Sequence, residues 1–91
     1  MNCNIGHEGA CVQAYQGGVI IYSPSTGAWE NYGEIRKKFV ELGTVDGKLG
    51  FPTGPVKTSQ YVDRIVYQPF EHGNIYYDTI NKYSYELMTE Q

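Results

Sequence analysis

The segment QAYQGGVIIY, residues 13–22, returns 55 residues later as QPFEHGNIYY, residues 68–77. Identities fall at Gln13/Gln68, Gly18/Gly73, Ile20/Ile75 and Tyr22/Tyr77, and Tyr15/Phe70 keeps an aromatic ring. Ten positions paired at random would share about one identity or fewer, so this is an internal repeat. Each copy reads as strand, tight turn, strand: Gly17-Gly18 can take the positive φ of a two-residue hairpin turn, and His72-Gly73 occupies the same place. The 91 residues make one small domain, 1–91, divided into a full unit at 13–67 and the start of a second at 68–91.

Working outward, Ser23-Pro24-Ser25-Thr26-Gly27 forms the next turn, because Pro24 fixes φ and Gly27 permits a left-handed exit. Ala28 to Tyr32 is the return strand. Asn31 with Glu34 three positions on resembles a capping box, and Ile35, Phe39 and Leu42 fall at i, i+4, i+7, which predicts a helix over about 33–42 ended by Gly43. Leu49-Gly50-Phe51-Pro52 then reads as a corner plugged into the core by Leu49 and Phe51, with Pro52 barring a central strand. Extended segments follow at Ile65-Val66-Tyr67, Ile75-Tyr76-Tyr77 and Tyr83 to Leu87. The fold class is α+β: antiparallel hairpins in a meander with one short helix per repeat. Fifty-five residues beyond Gly33 lies Met88, so a second helix would begin where this sequence ends, as in a fragment of a longer array.

Composition narrows the function. Seven basic against ten acidic residues, net charge −3, removes the basic footprint that nucleic-acid or anionic-membrane binding needs, and no apolar run reaches the length of a membrane span. No nucleophile elbow, zinc-protease helix or phosphate loop is present, which points to a non-enzyme without cofactor. Cys3, His7, Cys11 and His72 fit no familiar zinc spacing, and both histidines read as turn residues. Cys3 and Cys11 read either as free thiols or as one disulfide, whose short loop would contribute about 2–3 kcal/mol. Glu30 and Glu34 near a helix start are explained by its dipole rather than by acid–base work. Nine tyrosines in so short a chain direct attention to binding through aromatic rings near turns.

The pattern Gly18-x-Ile20-x-Tyr22-Ser23-Pro24-x-Thr26-Gly27-Ala28, Gly33-x-Ile35, Phe39-x-x-Leu42-Gly43 and Gly47-x-Leu49-Gly50-Phe51-Pro52-Thr53 resembles the LGFP repeat. Trp29, Ile21 and Phe39 depart from the family's usual residues, and the second copy loses the pattern after Tyr77. The resemblance implies a secreted, wall-associated protein of the actinobacterial kind, with tandem copies forming a propeller-like disc. The expected function is non-catalytic anchoring to cell-wall polysaccharide or peptidoglycan. The alternatives are a protein-interaction module, including a homo-oligomer joined through exposed strand edges, and an accessory part of a wall hydrolase or mycoloyltransferase. Trp29 and Tyr76 are the leading candidates for an exposed ligand face, joined by Tyr22, Tyr32, Gln13 and Gln68, with Asn31 as a further hydrogen-bonding group. Period-two alternation sets their directions: if Ile20 and Tyr22 face the core, Ile21 points out, and Ile75 and Tyr77 point in while Tyr76 points out.

Overall fold

A computed structural model describes residues 2–3 and 9–89 and builds them into two four-stranded antiparallel meanders with one helix between. Sheet 1 orders β1 (Asn2–Cys3), β2 (Cys11–Tyr15), β3 (Gly18–Ser23) and β4 (Gly27–Tyr32) as in the chain; sheet 2 does the same with β5 (Lys57–Thr58), β6 (Ile65–Phe70), β7 (Gly73–Asp78) and β8 (Tyr83–Met88). The small α+β fold expected from the sequence is therefore the observed one, and both sheets are four strands wide, whereas the window 13–67 cuts across the two. His7 lies outside the described residues. Cys3 and Cys11 face each other across β1 and β2 with their sulfurs at disulfide distance.

The 55-residue offset relates β1 to β5 and β3 to β7, but β4 and β8 stand 56 apart. Three residues join β3 to β4 and four join β7 to β8. That extra residue is why the sequence likeness stops at Tyr77 although the strand pattern continues. Asp78 builds the longer turn: its carboxylate accepts the N–H groups of Ile80 at 3.0 Å and Asn81 at 2.9 Å, the Asn81 amide at 3.1 Å and the Arg64 guanidinium at 3.0 Å. These donors, the Asn81 N–H foremost, outweigh burial and hold its pKa at about 2, against an ordinary value of about 3.9. A carboxyl depressed on folding gives stability that is complete above about pH 4 and is lost as pH falls through about 2. Asp78→Asn should therefore flatten the acid limb of the stability–pH curve between about pH 4 and 2, measured by urea unfolding at each pH.

Helix α1 (Gly33–Glu41) buries Ile35 and Phe39, as the spacing predicts, and Gly43 leaves it at φ 102°. The expected capping box does not form: the N-cap residue is Tyr32, without a side-chain cap hydrogen bond. Asn31 is instead fully buried and committed elsewhere. Past a short 3-10 turn, Thr44–Asp46, the Leu-Gly-Phe-Pro corner locks onto the tip of the β6–β7 hairpin. The His72 N–H donates to the Leu49 carbonyl at 3.1 Å, the Glu71 N–H to the Phe51 carbonyl at 2.9 Å, and the Phe51 N–H to Glu71 Oε1 at 2.9 Å. Gly50 sits at φ 78°, where a Cβ would run into the Glu71 side chain. Leu49, Phe51 and Pro52 are all buried, so the corner is the plug the sequence suggests.

One core cluster joins the parts: Val19 and Ile21 from β3, Ile35 and Phe39 from α1, Leu49 and Phe51 from the corner, Phe70 from β6 and Ile75 from β7. It reverses the side-chain directions expected for the first copy. Val19, Ile21 and Ser23 point inward and Ile20 and Tyr22 outward, while in the second copy Ile75 is buried with Tyr76 on the opposite face. Equivalent strands thus bury opposite faces, because the two sheets approach each other: sheet 1 offers one of its faces and sheet 2 offers the equivalent of the other.

Candidate functional site

The sheets leave two faces outward. On sheet 1 the registers Tyr15↔Gly18↔Tyr32, Gln13↔Ile20↔Glu30 and Cys11↔Tyr22↔Ala28 place these residues on one side, and Tyr15, Gln13, Ile20, Tyr22, Tyr32 and Glu30 are all exposed there. Side chains directly opposite lie about 5 Å apart, so Tyr15 and Tyr32 stand as two walls with Gly18 as a bare floor. A Cβ on Gly18 would press on the Tyr32 Cβ at 2.7 Å. Glu30 lies beside Tyr15, whose phenol pKa is raised by partial desolvation and by that carboxylate.

On sheet 2 the register Tyr67↔Tyr76↔Tyr85 stacks three rings across three strands. Centroids are 5.6 Å apart for Tyr67 and Tyr76 and 5.1 Å for Tyr76 and Tyr85, with Tyr83 adding a tilted contact to Tyr85 at 5.8 Å. Rings packed face to face present their edges and hydroxyls to solvent. Asn74 donates to the Tyr76 hydroxyl at 3.3 Å, and burial followed by the neighbouring phenols raises the pKa of Tyr85.

Two expected ligand residues belong to the interior. Gln68 is fully buried between the sheets: its Oε1 accepts from Asn31 Nδ2 at 2.8 Å, and its Nε2 donates to the carbonyls of Glu30 at 2.8 Å and Gly54 at 3.0 Å. Asn31 Oδ1 in turn accepts from Arg36 at 3.3 Å. This amide pair ties sheet 1 to sheet 2 and is unavailable to a ligand. Trp29 lies opposite Ile21 on the inner face of sheet 1, half-buried, with its indole N–H donating to the Thr26 carbonyl. It clamps the β3–β4 turn, because the reversed direction of β3 carries its partner strand with it. Gln13, Tyr22 and Tyr32 share the outer face of sheet 1, and Tyr76 lies apart from them on sheet 2. Sequence reasoning left Tyr15 and Tyr67 out of the site and assigned Glu30 to the helix dipole alone, and the cross-strand stack needed hairpin register, which the turns at residues 71–72 and 79–82 set.

Two facing meanders with a helix and a corner plug wedged between them define a small tandem-repeat module. The LGFP repeat family model matches residues 2–47, just over half of the chain, and the chain belongs to that family. A search of curated proteins returns no match. Among the described residues no helix is long and apolar enough to cross a membrane.

Proposed function

We propose that the chain is a non-catalytic binding module of a secreted protein that holds cell-wall polysaccharide on the outer face of sheet 2. The observation that carries this reading is the row formed by Tyr67, Tyr76 and Tyr85, extended by Tyr83. A row of phenol edges gives a polyhydroxyl chain both apolar surface and hydrogen-bonding groups along one line, and membership of a repeat family whose resemblance implies wall anchoring agrees with it. Each contact is weak, and tandem copies would multiply them through effective concentration. Purified actinobacterial cell wall should pellet the native chain saturably. Tyr85→Ala, on the edge strand β8, should retain the fold and lose at least about tenfold in affinity, equivalent to about 1.4 kcal/mol. A folded native chain that stays in the supernatant, or a Tyr85→Ala chain that pellets unchanged, would refute the assignment.

A further inference from the structure

The internal repeat states what belongs on the outer face of sheet 1. Most residues of that face have a partner in sheet 2 that is already covered, the rim pair Tyr32 and its exposed equivalent Met88 being the exception, and the cover is the segment running from Asn31 through α1 to the Leu-Gly-Phe-Pro corner. Ile75 is 0% exposed and its equivalent Ile20 is 37%; Phe70 is 5% exposed and its equivalent Tyr15 is 40%. Phe39 packs its ring on Phe70 at 4.6 Å. A Leu49 methyl lies 2.9 Å from where a Cβ on Gly73 would sit, whereas the nearest atoms over Gly18 belong to the adjacent strand β4. Gln68 receives Asn31, while the identical Gln13 is exposed.

Charge repeats the correspondence. Glu86 stands opposite Ile75 on β8 and is held by two cations of the covering segment, Lys48 at 2.8 Å and Lys38 at 3.5 Å. Glu30 stands opposite Ile20 on β4 in the same way, is exposed, and has no cation within ion-pair distance among the described residues. Five positions therefore agree: an amide, an aromatic ring, a glycine floor, an isoleucine and a carboxylate, filled in sheet 2 and open in sheet 1.

From this we infer that the outer face of sheet 1 is an acceptor for the helix–LGFP segment of a second LGFP-repeat polypeptide. The incoming segment would present an Ile/Phe helical stripe, lysines at the places of Lys38 and Lys48, and the Leu-Gly-Phe-Pro corner, whose leucine would lie between Tyr15 and Tyr32 over Gly18. This surface lies on the other sheet from the tyrosine row, so it stands or falls independently of glycan binding.

A synthetic peptide of residues 31–55 serves as the probe, titrated by fluorescence anisotropy into the full-length chain. It should bind saturably, one to one, and Glu30→Lys should weaken it at least about tenfold. A peptide carrying Lys38→Glu and Lys48→Glu should regain affinity for the Glu30→Lys chain. That rescue identifies the site, because the same reversed peptide would meet like charge at Glu86 if it displaced the chain's own segment. Ile20→Glu, at an exposed position, gives a second block, and both chain variants should unfold at the native temperature and pellet with cell wall as the native chain does. Absence of saturable binding to the native chain, binding indifferent to Glu30→Lys and Ile20→Glu, or failure of the charge-reversed peptide to recover would overturn the inference.

Discussion

Phe39→Ala should cost about 3–5 kcal/mol in urea unfolding, the range for truncating a fully buried phenylalanine. Phe39 is wholly inaccessible, and its ring meets Phe70 at 4.6 Å from the side of α1 that faces sheet 2. Removing it strips the helix of the larger of its two buried side chains and opens a cavity bounded by elements from both repeats, where collapse is limited by the disposition of two hydrogen-bonded sheets. A domain of this size has a total stability of roughly 5–13 kcal/mol, so the variant should melt at least about 12 °C lower and approach the edge of folding. Val40→Ala, one position on and exposed, is the matched control and should change stability by less than about 0.5 kcal/mol. A Phe39→Ala cost as small as that of Val40→Ala would mean that α1 is not the spine joining the sheets.

Much of this architecture could be read from the chain because it is local. The left-handed residues Gly27 and Gly43, the Ile35/Phe39 spacing and the proline after Phe51 each act through neighbours in sequence and fall where the pattern places them. The hairpin turns, by contrast, lie one residue earlier than expected, at Gln16-Gly17 and Glu71-His72, with Gly18 and Gly73 opening the next strands and positive φ at none of Gly17, Gly18 and Gly73. The side-chain directions in β3 were not local. Strict alternation fixes only which residues share a face, and Ile20, Ile21 and Tyr22 are all compatible with a core. Which face is buried was decided by sheet 2, whose equivalent strand lies 55 residues on, and repetition misled here: equal sequences suggest equal burial, yet two stacked copies must bury opposite faces. The same fact removed Trp29 from the ligand candidates and moved Tyr22 and Tyr32 to an open surface. Asn31 offers a second instance. Its place before an acidic helix turn has a local explanation in capping, and a stronger, non-local partner in Gln68 won it, since a buried amide left unpaired costs more than a helix cap contributes.

That partnership sets the second large effect. Gln68→Leu keeps nearly the same volume, so it opens little cavity, yet it orphans Asn31 Nδ2 and the carbonyls of Glu30 and Gly54 at the contact between the sheets. Each unsatisfied buried group costs about 1–3 kcal/mol, and a leucine at this place regains part of that through apolar burial; a net loss of about 3 kcal/mol is expected in urea unfolding. The exposed equivalent supplies the contrast within one molecule: Gln13→Leu, the same chemistry in the same strand position of the other repeat, should be near neutral. Gln68→Glu separates hydrogen bonding from packing. A carboxylate there would face two carbonyl oxygens, so its pKa should rise on folding, and the stability of this variant should be highest below the ordinary carboxyl pKa and fall as pH rises through the folded value. If Gln68→Leu were as stable as the native chain, the amide pair would be only a passenger in the interface and apolar contact alone would set how the two sheets meet.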